Sequence, residues 1–220
     1  MEAVAARSPR LLRLHSAPSF AAQWLTPRLA RFFAQHPEVD VRLSAGVDYA
    51  RFDTGEFDAD IIYGLPRQEG LAVLPLKEEV VTPLCAPHIA ETIESPTDLL
   101  RHRLIQSDNK QVRWPAWFAL NGIAVPSTSR GSRFDRSFLA IAAAADGLGV
   151  ALESTLLAER EILRGRLVAP LAGRSQDIRS VGHHLVYPPP SSGGSSSGSL
   201  RNGSHGSSSS QRALDQMARQ

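Results

Sequence analysis

Read in order, the 220-residue sequence alternates short apolar runs with stretches of helical spacing, which predicts an α/β fold with mixed, mostly parallel sheets. Two further observations support that class. Asp60-Ile61-Ile62-Tyr63-Gly64 and Gly149-Val150-Ala151-Leu152 are apolar runs bounded by turn residues, the pattern of strands buried on both faces. The strand–helix units also fall into two sets that meet near Leu84–Cys85, which predicts two lobes.

Leu11, Leu12 and Leu14 mark the first strand. It runs through Ser16-Ala17-Pro18-Ser19 into an amphipathic helix with apolar positions at Phe20, Trp24, Leu25, Leu29, Phe32 and Phe33. Pro27 either kinks this helix or opens a second one capped by Thr26. Val39, Val41, Leu43 and Ala45 alternate with polar residues as a second strand, and a loop follows to Asp58. Beyond the third strand at Asp60–Tyr63, residues 71–76 and 80–86 are further apolar runs. Ser95-Pro96-Thr97-Asp98 starts a helix, with a Ser cap, Pro at the first helical position and an acid in the first turn. Leu104-Ile105 is the next strand. Trp114, Trp117, Phe118 and Leu120 have helical spacing that Gly122 stops, and Asp135 caps a helix carrying Phe138, Leu139, Ala142 and Ala145. Val150–Leu152, a helix from Thr155 to about Glu161, Leu167-Val168 and the strand His184–Tyr187 complete the pattern.

Charge is unevenly placed. The formal total is +2, of which residues 1–10 carry +1 and residues 188–220 carry +2, leaving −1 for residues 11–187. A near-neutral folded part offers no electrostatic footprint for nucleic acid. Cys85 is the one cysteine, so an intrachain disulfide is excluded. No apolar run reaches membrane-spanning length, and the N-terminus lacks the pattern of a secretory signal, which predicts a cytoplasmic protein without a membrane partner. From Ser191 to Ser210 only Leu200, Arg201, Asn202 and His205 interrupt Ser and Gly, and such a tract buries too little apolar surface to order itself.

The stretch Leu14-His15-Ser16-Ala17-Pro18-Ser19-Phe20-Ala21-Ala22-Gln23-Trp24-Leu25-Thr26-Pro27-Arg28-Leu29, followed by His36-Pro37-Glu38-Val39-Asp40-Val41-Arg42-Leu43, resembles the start of the effector-binding domain of LysR-type transcriptional regulators. In order, Phe57–Gly64, Leu74-Pro75-Leu76, Glu79–Pro87, Pro96–His102, Ala143–Leu152 and Gly165–Pro170 carry the resemblance across about residues 11–188. The Ser19–Leu25 wording and the Trp114/Trp117 helix look most like the subgroup containing the glycine-cleavage-system activator. The resemblance implies a two-lobe, periplasmic-binding-protein-like (type 2) fold with an effector in the interlobe cleft and no catalytic activity. It also implies a homodimer or homotetramer, and DNA contact only through an N-terminal winged helix-turn-helix that this chain lacks. The expected organisation is a linker remnant at 1–10, lobe 1 at 11–83, lobe 2 at 84–183 and a crossing back at 184–190. A disordered Ser/Gly-rich tail at 191–220 follows, with Gln211–Ala218 as a short terminal helix. A stand-alone two-lobe solute-binding protein is the alternative, and an α/β enzyme is a third reading that lacks a paired acid–base or nucleophile constellation.

Two segments are the main ligand candidates. The turn Ser16, Ala17, Pro18, Ser19, Phe20 delivers a helix N-terminus, where free N–H groups and a positive dipole end favour anions. Its bland alternative is N-capping by Ser19 and burial of Phe20. The segment Arg130-Gly131-Ser132-Arg133-Phe134-Asp135-Arg136-Ser137 gathers three guanidiniums able to clamp a carboxylate and a helix N-terminus, against a plain exposed loop with Asp135 as cap. Val47 and Asp48 after the second strand, and Leu65 and Arg67 after the third, lie at the strand ends where open α/β sheets bind ligands. A small, anionic effector is the expected partner, with no cofactor and no metal. Cys85 beside His88 reads as core rather than a thiol–imidazole pair, and His183-His184 lacks acids or thiols at ligand spacing. Gly147-Leu148-Gly149 ends a helix and enters a strand, the reverse of a dinucleotide fingerprint.

Overall fold

The structure, a computed structural model, describes residues 10–124 and 131–189. Arg130, nearly all of the expected linker remnant and the whole Ser/Gly tract with its terminal helix lie outside the described residues. The chain divides into two compact units. Unit 1 comprises residues 1–17, 28–77 and 181–220, and unit 2 comprises 18–27 and 78–180.

Unit 1 holds a five-stranded sheet in the order β2 (Val39–Ala45), β1 (Arg10–Ser16), β3 (Ala59–Tyr63), β10 (His183–Tyr187), β4 (Ala72–Pro75). β1 pairs parallel with β2 and β3, whereas β10 runs antiparallel to β3 and β4. Leu12, Leu14, Ile61, Ile62, Leu185 and Val186 are buried in this unit. At Gly64 (φ +86) the chain leaves β3 through a left-handed turn that its backbone N–H closes onto Gly182 O at 2.7 Å.

Unit 2 holds the second five-stranded sheet, ordered β7 (Gly131–Phe134), β6 (Leu104–Ser107), β8 (Val150–Ser154), β5 (Glu79–Leu84), β9 (Ile178–Ser180). β7, β6 and β8 are parallel, and β5 runs antiparallel to β8 and β9. Both sheets are mixed, with two parallel and two antiparallel pairings each rather than a parallel majority, because a strand that returns late in the chain or crosses early reverses direction. The expected lobe edges at 83/84 and 183/184 differ from the observed division for a related reason. β5 is laddered to β8 and β9, which carries residues 79–83 into unit 2.

The core of unit 2 is aromatic. Beyond the one-turn helix α3 (Pro87–Ala90), helix α4 (Trp114–Leu120) buries Trp114, Trp117 and Phe118 against Leu104, Val150, Leu152 and Cys85. Trp114 stacks on Phe118 at 5.3 Å, and its indole N–H donates to Ile105 O at 2.9 Å, so the ring is buried without stranding its polar atom. Before it, Asp98 accepts hydrogen bonds from both the backbone N–H and the hydroxyl of Ser95 (2.8 Å each) at the predicted helix start. The helix there is a short 3₁₀ segment, Pro96–Arg101.

Three local readings change. Helix α1 (Pro18–Phe20) passes through a π-helical turn (Ala21–Leu25) into α2 (Thr26–Gln35). Thr26 is itself helical (φ −54°, ψ −42°), and both its N–H and its hydroxyl donate to Ala21 O, so it does not cap a new helix. The widened turn absorbs the missing N–H of Pro27 without a break. The stretch read as a loop at 131–134 is strand β7, and the cap position of α5 (Ser137–Ala145) is Arg136, not Asp135. The last helix, α6 (Glu159–Leu163), begins four residues later than Thr155.

Candidate functional site

The carboxyl ends of β6, β7 and β8 meet the N-terminus of α5 inside unit 2, and several polar side chains are buried together there. Strand alternation puts Ser107 at the end of β6 and Glu153-Ser154 at the end of β8, while the turn after β6 supplies Lys110. Arg136 offers no side-chain cap to α5. The cap comes instead from far away in sequence: Ser19 Oγ accepts the backbone N–H of Phe138 at 3.3 Å, across a separation of 119 residues. Ser19 therefore caps a helix, but not the one that it opens. Phe20 is 1% exposed and packs on Trp24 at 4.8 Å, which seats this segment in unit 2.

Behind the cap, Ser137 Oγ donates to Ser107 Oγ at 3.5 Å. Lys110 Nζ meets Glu153 Oε2 at 2.6 Å, with side-chain exposures of 4% and 0%. Burial pushes the Glu153 carboxyl above its ordinary value, while the Lys110 ammonium and contacts from Ser154 and Ser137 pull it back. Glu153 Oε1 is buried and has no hydrogen-bond partner among the described residues. Neither Lys110 nor Glu153 was singled out in the sequence. Glu153 closes an otherwise apolar run, and an acid there is the one legible hint.

Of the guanidiniums in the predicted clamp, Arg133 pairs with Asp108 at 2.8 Å, and Arg136 pairs with Asp135 at 3.1 Å. Ser132 accepts a hydrogen bond from Arg103 at 3.4 Å, and Phe134 is half-buried at the end of β7.

The remaining predicted residues, Pro18 apart, belong to unit 1. Ser16 is fully buried at the end of β1; its hydroxyl donates to Ala17 O and its carbonyl accepts the Gly46 N–H at 3.2 Å, next to Val47 and Asp48. Val47 is 62% and Leu65 71% exposed, and Asp48 and Arg67 are also exposed. Pro18 opens α1, at the start of the segment assigned to unit 2. Unit 1 has a buried pair that the sequence reading missed. His15 Nδ1 lies 2.8 Å from Asp60 Oδ1, and Asp60 Oδ2 accepts the Ala50 N–H at 2.9 Å. The two residues face each other in the β1/β3 register.

The thiol of Cys85 is fully buried and pushed up to about 12 by desolvation, so it is protonated at neutral pH and unsuited to nucleophilic work. Its backbone bridges Val168 in both directions. His184 is buried in β10, and desolvation lowers its pKa. No group of three or more His, Cys, Asp and Glu able to hold a metal occurs among the described residues. No described helix is long and apolar enough to cross a membrane.

Two mixed five-stranded sheets, with a polar cluster at a parallel edge, define the effector-domain class, and residues 5–195 match the LysR substrate binding domain family. The chain belongs to that family. It is 52% identical over 185 residues to the HTH-type transcriptional regulator PerR of Escherichia coli K12, covering 84% of this chain and 62% of that protein. It is 33% identical over 156 residues to the glycine cleavage system transcriptional activator of E. coli K12, covering 70% of this chain and 51% of that protein. Among solved structures, the effector domain of the transcriptional regulator AmpR of Pseudomonas aeruginosa superposes with a TM-score of 0.72 at 29% identity, covering 94% of this chain and 96% of that one. The chain thus spans less than two thirds of the length of the regulators it matches.

Proposed function

We propose that this domain senses a small metabolite bearing an anionic group and that binding controls transcription through a DNA-binding domain of the kind the LysR family carries. The observation that carries the reading is the Ser19–Phe138 hydrogen bond. It sets a hydroxyl at the N-terminus of a nine-residue helix, beside Ser107 and Ser137, at the carboxyl edge of parallel strands. The ligand residues proposed are Pro18, Ser19, Phe20 and Ser132–Asp135 of unit 2, with Ser16, Val47, Asp48, Leu65 and Arg67 of unit 1. That the effector lies in a cleft rests on the family resemblance alone, as do the pairing of copies and a cytoplasmic setting. The relatives are transcriptional regulators, not enzymes, which supports a binding role. A ligand acts by binding one arrangement of the domain more tightly than another.

Titration calorimetry of the purified chain against a panel of small organic acids tests the reading. Saturable binding weakened at least tenfold in Ser19→Ala is expected. Heats indistinguishable from buffer across the panel, or affinities unchanged in a folded Ser19→Ala chain, overturn it.

A further inference from the structure

Among the described residues at this edge of unit 2, Glu153 is a charged group whose hydrogen bonding is incomplete. Its Oε2 is taken by Lys110 Nζ at 2.6 Å, with the Ser154 N–H nearby at 3.4 Å. Its Oε1 is buried and unpartnered among the described residues, although the side chain is 0% exposed. A buried carboxylate oxygen without a donor is costly, and the cost is recovered when a donor arrives. The carboxylate lies against Ser137, the first residue of α5. The unsatisfied acceptor therefore sits at the same helix start that Ser19 caps.

The charges around it are already balanced. Lys110 is neutralised by Glu153, Arg133 meets Asp108 and Arg136 meets Asp135. An effector carrying only negative charge finds no unopposed cation in this set. The hydroxyl of Ser19 is different. Its lone pair accepts the Phe138 N–H, so its own proton is left to donate to an oxygen acceptor. The edge thus presents one hydroxyl donor and one carboxylate acceptor.

Resting on the reading of this edge as the effector site, we infer that Glu153 is its specificity-determining residue. The matching ligand carries a hydrogen-bond-donating nitrogen, an ammonium or an amide, beside its anionic or carbonyl oxygen. Lys110 Nζ and the Ser154 N–H hold Oε2, which leaves Oε1 as the free acceptor. A site built around a buried hydrogen-bonding group rejects analogues that lack the complementary donor far more strongly than an apolar pocket rejects a missing methylene.

The test is calorimetric titration of the chain with matched pairs in which one member carries an amino group that the other lacks: glutarate with L-glutamate, propionate with L-alanine, butyrate with 4-aminobutyrate. The nitrogen-bearing member of at least one pair binds the unaltered chain tenfold or more tightly than its partner. That preference falls to within twofold in Glu153→Gln and in the double variant Lys110→Met/Glu153→Leu, which removes both buried charges together. Circular dichroism and thermal melting establish that each variant is folded. Equal binding of both members in every pair overturns the inference while leaving the effector site in place. A preference that survives in a folded Glu153 variant overturns it equally. If no member of any pair binds the unaltered chain, the reading of the edge as an effector site fails, and the inference falls with it. The comparison within the unaltered chain does not depend on any variant folding.

Discussion

Each sheet buries a pair of one basic and one acidic side chain near the ends of its parallel strands, and the two pairs are completed differently. In unit 1, both oxygens of Asp60 are used, one by His15 and one by the Ala50 N–H. In unit 2, Glu153 has Lys110 on one oxygen and no partner on the other among the described residues. Hydrogen-bond completion is what separates the two pairs: the network in unit 1 is finished, whereas the one in unit 2 leaves a buried acceptor unsatisfied. The basic partners differ as well. Lys110 is a compact ammonium with three donors, whereas His15 is held edge-on by Phe57, with ring centroids 5.2 Å apart.

The largest effect separating the two regions is expected on removing one charge from the unit 2 pair. Lys110→Met leaves a lone buried carboxylate, and urea denaturation at neutral pH should show a loss of about 3–5 kcal/mol. The pH dependence follows from the raised pKa of Glu153. Burial lifts it above 4.5 in the folded chain, so the protonated form is the one folding favours. Folding stability linked to that proton is present below the unfolded value and is lost as pH rises through the folded one. Without Lys110 the loss is greatest near neutrality and shrinks as pH falls and the buried carboxyl takes up its proton. A deficit that stays constant with pH would mean that Lys110 acts through packing.

A smaller effect is expected in unit 1, where the pair is complete. Asp60→Asn keeps the shape but weakens both the His15 contact and the Ala50 hydrogen bond, for about 1–3 kcal/mol by chemical denaturation. Gly46 supplies an independent check. A Cβ there would lie 2.7 Å from His15 Nε2, so Gly46→Ala must push the imidazole away from Asp60. The Gly46→Ala and Asp60→Asn losses should therefore fall well short of additivity in the double variant. Full additivity would show that the close approach at Gly46 and the ion pair are independent.

His184 separates the units by acid sensitivity. Burial lowers its pKa below 6.5, so the unfolded chain takes up a proton before the folded one does. Stability linked to this residue is fully present above the unfolded value and is lost as pH falls below it. Urea midpoints followed by a probe in unit 1 should fall between about pH 7 and about pH 5.5, and His184→Gln should flatten that slope. An unchanged slope would assign the acid response elsewhere.

The contrast between the units also explains what the sequence made legible. Strands such as β3 and β8 are apolar runs with turn residues at both ends, so their periodicity announces them. β7 (Gly-Ser-Arg-Phe) and the three-residue β9 have no such pattern and exist through their neighbours β6 and β5. The Ser16–Phe20 turn was visible as a helix start, yet its hydroxyl serves a helix 119 residues away, a pairing that no local window contains. Lys110 is hidden for the same reason, since it reads alone as an ordinary surface charge, and Glu153 leaves only the trace of an acid that closes an apolar run. Asp135 looked like a cap because acids favour helix starts, but the chain enters α5 one residue later, at Arg136.

The smallest expected effect decides how much of the predicted arginine clamp is real. Arg133 is 68% exposed on its side chain and already paired with Asp108 at 2.8 Å, 35% exposed. An ion pair in water at such a position contributes at most about 0.5 kcal/mol, because solvent screens it and the long side chain loses rotamer freedom to hold it. Arg133→Ala should therefore leave the urea midpoint nearly unmoved. Its effect on ligand affinity should depend on what Asp108 does next. If the guanidinium is spent on Asp108, the variant binds the nitrogen-bearing ligand within about threefold of the unaltered chain, a difference of roughly 0.7 kcal/mol. If instead Arg133 leaves Asp108 to clamp a ligand carboxylate, affinity falls by more than about tenfold, and Asp108→Asn strengthens binding by freeing the same guanidinium. Titrations of these two single variants with the same ligand distinguish a site selected by its carboxylate from one selected by its arginine.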